Sequence, residues 1–159
     1  MSDAYRGTSG TGSVQVYQTP RDHLFRLEML TFTLTTDGTA GVHSAVVTFF
    51  DTALSATTAR LWDWNEGGPS MTLFYTYGIG LKPFNCTVTT GMMIQDALPD
   101  TVLAPSTQIT VTAVNSAGVT IAGDAISAVV LYGPLEDLLI DNGSNSAPDP
   151  LLVPGVFVA

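Results

Sequence analysis

Charge is scarce in this chain: Asp, Glu, Lys and Arg make up 12% of its 159 residues, about half the usual share of roughly 25%. What charge there is leans acidic, with 14 Asp and Glu against 5 Lys and Arg and a formal net charge of −9. The cations Arg6, Arg21, Arg26, Arg60 and Lys82 are scattered singly. A nucleic-acid binder needs a basic stripe that displaces counterions from phosphates, so nucleic acid is not an expected partner.

Cysteine is nearly missing. Cys86 stands alone and cannot close an internal disulfide, so the fold does not depend on an oxidising compartment. In an apolar strand it is expected to act as a small buried hydrophobe. His23 and His43 are the two histidines. Neither stands at a metal-ligand spacing from Cys or from the other, so both are expected to be structural. Ser44 beside His43 makes no triad, because nucleophile, base and orienting acid must meet in space. Gly78-Ile-Gly80 is not followed by a helical pattern, which removes a phosphate loop, and no Asp-x-Asp loop offers calcium its oxygens. No cofactor or metal is expected. No apolar run approaches the roughly 20 residues of a membrane-spanning helix, and the N-terminus lacks the apolar core of a secretory signal. Synthesis in the cytoplasm, with no membrane partner, is the expectation.

Helical periodicity is absent too. Hydrophobic residues still reach 45%, enough for one domain with a sizeable core. Thr and Val fill the places that Lys and Glu take in helical proteins, and β-branched residues suit a pleated surface. Alternation punctuated by Gly, Pro, Asn and Asp predicts about eight strands, near residues 13–17, 24–36, 43–51, 57–64, 70–77, 86–96, 107–114 and 125–132. The expected fold is all-β: an antiparallel two-sheet sandwich, a jelly roll by strand count, with residues 13–133 as the body. Residues 1–12, rich in Gly, Ser and Thr, are expected to be a flexible N-terminal arm, and residues 134–159 an extended C-terminal arm.

Two strands carry more than pattern. Phe25, Leu27 and Met29 share one face of the second, but further on the apolar set is Leu30, Phe32 and Leu34. A period-2 strand cannot bury both sets on one side, so either a β-bulge near Glu28–Leu30 re-aims them or the two ends bury opposite faces. The strand 43–51 is apolar on both faces, Val47 and Phe49 on one and Val46 and Phe50 on the other. This points to a second covering layer or another subunit.

Trp62 and Trp64, at i and i+2, share a face if the strand continues. They are expected to pack against protein; a stacking platform for sugars is the other use of such rings. Asp63 and Glu66 are the best carboxylate pair, yet nothing marks a cleft between them, so they read as a solvated corner and not as a glycosidase pair. The C-terminal arm opens with Pro134-Leu-Glu-Asp-Leu-Leu-Ile140 and ends in an apolar segment with Leu151, Leu152, Val153, Val156 and Phe157. Three prolines, Pro148, Pro150 and Pro154, disfavour regular structure there. The arm is expected to anchor on a neighbouring subunit or a larger assembly, so Val46, Phe50, Trp62, Trp64 and these five tail residues are the candidate interface.

Several stretches also point to a family. They are Leu24-Phe-Arg-Leu-Glu-Met-Leu-Thr-Phe-Thr-Leu-Thr-Thr-Asp37, a strand ending Thr48-Phe-Phe-Asp51, Phe74-Tyr-Thr-Tyr-Gly78, Ala97-Leu-Pro99 with Leu103-Ala-Pro105, and Ala122-Gly-Asp-Ala-Ile-Ser-Ala-Val-Val-Leu131. Together the run from Pro20 to Tyr132 resembles the small jelly-roll virion proteins of tailed bacteriophages. The resemblance implies a non-enzymatic structural role in the virion, decorating or cementing the capsid. It also implies a homotrimer and, as further partners, the major capsid protein or another virion protein. The competing reading is a carbohydrate- or receptor-binding sandwich module of a fibre, collar or adhesin.

Overall fold

Alternation decides the architecture. Thr107-Gln-Ile-Thr-Val-Thr-Ala-Val114 buries Ile109, Val111 and Ala113 completely while Gln108, Thr110 and Thr112 stay half-exposed, the signature of a strand with one face on a core. The computed structural model describes residues 4–21, 24–62, 66–99 and 102–134, and within them it contains eleven strands and no helix. They are β1 (Ala4–Thr11), β2 (Ser13–Gln18), β3 (Phe25–Thr35), β4 (Ser44–Asp51), β5 (Ala56–Trp62) and β6 (Thr72–Gly78). Then follow β7 (Phe84–Val88), β8 (Gly91–Ala97), β9 (Val102–Leu103), β10 (Thr107–Val114) and β11 (Ala125–Pro134).

The strands form two sheets, a sandwich as expected. The larger has the order β1-β11-β3-β6-β8-β7, with β9 added to β3, and the smaller has the order β2-β10-β4-β5. Consecutive strands change sheet six times, and two of these crossings, β3 to β4 and β10 to β11, position the site described below. The two crossings lie side by side, since β11 pairs β3 and β10 pairs β4. All pairings are antiparallel except β6 with β8.

Of the two alternatives open for the second strand, the bulge is the one present. Leu131 pairs Met29 but Tyr132 pairs Leu27, so Glu28 is the extra residue in β3. Because of it Phe25 and Leu27 face inward together with Leu30, Phe32 and Leu34, and Met29 is left 38% exposed. Thr31, Thr33 and Thr35 take the outer face. Opposite β3, the inward residues Leu73, Tyr75 and Tyr77 of β6 and Ile126, Ala128 and Val130 of β11 complete one wall of the core. The Phe32 and Tyr75 rings stack with centroids 4.5 Å apart. Val14, Val16, Val47, Phe49, Ile109 and Val111 form the other wall. Each large side chain buried here contributes roughly 1.5–3 kcal/mol before ordering costs.

Three expectations change. Residues 4–11, expected as part of a flexible arm, form β1 along β11; an edge strand built on backbone hydrogen bonds needs no apolar periodicity, which is why Gly, Ser and Thr hid it. The single strand expected over 86–96 is a hairpin, β7 and β8, turning at Thr89-Thr90. Its second arm starts at Gly91 because any Cβ there would collide with the Thr72 carbonyl oxygen. Cys86, expected buried, is exposed, because β7 is the sheet's edge and both its faces lie open to solvent. The C-terminal arm from residue 135 onward lies outside the described residues.

The bulge sets up a sharp contrast between neighbours. Leu30→Ala is expected to lower unfolding free energy by about 2–5 kcal/mol, whereas Met29→Ala next to it is expected to stay within about 0.5 kcal/mol. Urea titrations of both variants measure it; equal losses would mean that Glu28 does not re-aim the strand.

Candidate functional site

Where the two sheet crossings meet, the chain concentrates its ionisable groups. Asp124, completely buried, closes the β10–β11 connection, and His43, 1% exposed, stands at the start of β4. His43 Nδ1 lies 2.8 Å from Asp124 Oδ2, and His43 Nε2 lies 2.9 Å from the Thr39 carbonyl oxygen. The backbone N–H of Asp37 donates to Asp124 Oδ1 at 2.9 Å, and that of Gly12 donates to the Asp124 carbonyl at 2.8 Å. The Asp37 carboxylate in turn accepts from the N–H of Thr39 at 2.8 Å. One residue, Asp124, thus ties together the β1–β2 turn through its carbonyl and the β3–β4 and β10–β11 crossings through its carboxylate. Gly12 belongs to this turn because it adopts φ +70°, a conformation natural to glycine.

The geometry suits the charged form of the His43 ring. A carboxylate and a backbone carbonyl only accept, so a ring bonded to both must donate from both nitrogens, which is the imidazolium form. Burial alone would lower the His43 pKa. The hydrogen bonds to Asp124 and Thr39, with the negative charges of Asp124 and Asp37, outweigh it and raise the pKa above the ordinary value. Asp37 moves the other way: hydrogen bonds from Thr39, aided by the nearby His43 charge, lower its pKa against a weaker effect of burial.

Ligand atoms of Asp37, His43 and Asp124 lie within 4.8 Å of one another, close enough to hold a metal ion. Yet both oxygens of Asp124, both nitrogens of His43 and one oxygen of Asp37 already serve hydrogen bonds inside the protein. The same commitment bears on catalysis: with Nε2 on a backbone carbonyl, His43 keeps no nitrogen for a proton from substrate. In this arrangement the cluster clamps three connections together, with His43, read from the sequence as structural, at its centre. Its partner Asp124 went unnoticed there because the two are 81 residues apart and no local spacing announces the contact.

The sequence-derived interface residues divide. Val46 and Phe50 lie half-buried on the outer face of the four-stranded sheet. Trp62 of β5 stands opposite Val46 in the ladder and is 37% exposed. Glu66 is exposed. Trp64, Asp63, His23, Leu151, Leu152, Val153, Val156 and Phe157 lie outside the described residues.

A second apolar surface escaped the sequence reading. In the larger sheet Phe74 of β6 pairs Met93 of β8, and Met93 pairs Cys86 of β7. Opposite residues share a face, so these three form a row on the outer side, flanked by Phe84 and Val88. Phe74 is 41%, Met93 50% and Phe84 57% exposed. Reading 86–96 as one strand concealed the row. A third feature is a cleft of about 190 Å³ between the sheets, lined mainly by Leu27, Phe49, Ala59, Leu98 and Leu103, with Asp51 at its wall. The Asp51 carboxylate accepts from the N–H groups of Ala53 and Leu54 at 2.8 and 3.1 Å, so it serves the β4–β5 turn.

No family model matches the chain, and no curated protein matches it. Among solved structures it is similar to a structure of infectious bursal disease virus, Gt strain, at 10% identity and a TM-score of 0.32, covering 83% of this chain and 31% of that one. A structure of the Gx strain of the same virus is similar at 9% identity and a TM-score of 0.25, covering 88% and 40%. This chain therefore spans less than half the length of the chains it matches. At these scores the likenesses carry no conclusion about function.

The clamp makes stability depend on pH. The pKa of His43 is raised on folding, so its stabilisation is fully present below the unfolded value of about 6.5 and is lost as pH rises through the folded value. Asp37, with its pKa lowered, contributes above about 3.9, and its share is lost as pH falls through its folded value. The melting temperature is expected to fall on the alkaline side, and His43→Gln should flatten that limb. A wild-type melting temperature constant from pH 6 to 9 would contradict the imidazolium assignment.

Proposed function

We propose that the protein is a non-enzymatic virion structural protein of a tailed bacteriophage, one that decorates or cements the capsid through protein–protein contacts. It acts as a homo-oligomer, a trimer by the family resemblance, with the major capsid or another virion protein as its further partner. The observation that carries this reading is the β7 end of the larger sheet. Native sheets blunt their free edges with charge, proline or bulges, because an open edge pairs with other chains. The edges β1 and β2 run into each other through Gly12, and β5 carries Arg60 and a register shift against β4. β7, Phe84-Asn-Cys-Thr-Val88, has no charge, no proline and no register shift against β8. Its outer side continues into exposed Met93 and Phe74. An uncharged edge beside an apolar face suits addition of a strand or sheet from another protein. In a chain of net charge −9, it is also a place where acidic copies approach with little repulsion.

A second reading rests on Trp62, whose partly exposed ring lies beside Val46 on the other sheet and could stack on a sugar. Glycan-array binding that is lost in Trp62→Ala would move the assignment to a receptor-binding module.

Light scattering tests the assembly reading. Wild-type protein is expected to form oligomers at micromolar concentration, and Phe84→Lys or Met93→Lys to weaken them at least tenfold without lowering the melting temperature. A monomeric wild type contradicts the proposal; oligomers untouched by both variants would remove β7 as the contact.

A further inference from the structure

β7 is held in place before any partner reaches it. It pairs β8 along its whole length without a register shift. The turn that joins them is tied to β6, where the Thr72 N–H donates to the Thr90 carbonyl at 3.1 Å. The other side of β7 has no neighbour among the described residues, since β7 ends the order of the larger sheet. Such an edge is a template already in the conformation that another strand needs.

Its side chains select the strand that fits. Cys86 is the middle residue of Phe84-Asn-Cys-Thr-Val88, and all five are exposed. Cys86 shares a face with Met93, so Phe84, Cys86 and Val88 lie on the outer side, while Asn85, opposite buried Ile94, and Thr87 lie on the other. This pattern is its own complement. When two such strands pair antiparallel about Cys86, Phe84 stands opposite Val88 of the copy, Asn85 opposite its Thr87, and Cys86 opposite its Cys86. An aromatic ring opposite a β-branched residue is a favourable cross-strand pair, and an amide opposite a hydroxyl can hydrogen-bond. No other antiparallel register pairs all five residues of both strands. Charge favours the same occupant. Residues 67–95 contain a single charged residue, Lys82, so a basic partner finds no carboxylate there, while two acidic copies can approach with none opposed.

We propose that β7 pairs antiparallel with β7 of a second copy about a two-fold axis at Cys86, joining the two larger sheets edge to edge. With the axis normal to the sheet, the row Phe74–Met93–Cys86 runs on into the same row of the copy. This rests on the assembly reading above and deepens it by naming the occupant of the edge and its register. A strand paired with its own copy is an isologous contact, so β7 joins copies in pairs. A three-fold ring closes through other surface, and β7 then links one ring to the next.

Cysteine cross-linking of the full-length protein reads the register. Directly opposed residues have Cα atoms about 4.5–5.5 Å apart, inside the roughly 4.4–6.8 Å that a disulfide spans. Diagonal neighbours are about 7–8 Å apart, outside it. With diamide as the oxidant that takes up the two thiol hydrogens, the wild-type protein is expected to form covalent dimers through Cys86, seen on a non-reducing gel. In a Cys86→Ser background, Asn85→Cys alone and Thr87→Cys alone are each expected to react at least about tenfold more slowly, and a mixture of the two to restore fast cross-linking. Light scattering on the unoxidised samples separates this proposal from the reading beneath it. Oligomers with equal rates at all three positions, or without dimers through Cys86, overturn the two-fold register and leave the assembly reading standing. A monomeric wild type overturns both.

Discussion

Two crossings between the sheets, from β3 to β4 and from β10 to β11, converge on the 2.8 Å contact between His43 Nδ1 and Asp124 Oδ2. Each crossing must leave one sheet, turn and enter the other, and turns carry polar backbone that the core cannot satisfy. Asp124 meets that need at several points, accepting from His43 and Asp37 with its side chain and from Gly12 with its carbonyl. A buried ion pair is weak evidence for net stability, but removing one partner strands a charge at a cost of about 3–5 kcal/mol. Its value here is positional. With the pair in place, β11 lies against β3 and β10 against β4, and the two walls of the core face each other in register.

From that clamp the molecule becomes asymmetric. Near it, the sheets are joined through Gly12 and the edges are continuous chain. Across the sandwich, β5 and β7 end in exposed residues, and the cleft opens between the sheets near β5. The uncharged β7 edge, the row Phe74–Met93–Cys86 and the cleft all belong to the part of the fold that the clamp does not close. That open part carries the exposed apolar surface on which the proposed assembly rests.

Much of the fold was legible in the sequence. The conflict between Leu27 and Leu30 in β3 demanded either a bulge or two opposite buried faces, and Glu28 supplies the bulge. The threonine face of the same strand and the existence of β10 followed from period-2 alternation. Signals that depend on partners far along the chain were not legible. β1 is held by pairing with β11, which glycine and serine do not advertise. The Thr89-Thr90 turn lacks the Gly, Asn or Pro that marks most hairpins, so β7 merged with β8 and Cys86 was placed in the core. The partnership of His43 with Asp124 needs the fold itself, because only the two adjacent crossings bring them together.

Hydrogen–deuterium exchange across a protein concentration series tests the central claim, that copies meet through the open end of the larger sheet. Amides of an edge strand exchange quickly until another chain covers them. Those of Phe84–Val88 are expected to slow progressively as assembly proceeds, while those of β5, at the edge of the other sheet, keep their rates. Assembly with unchanged exchange at Phe84–Val88 would contradict the account.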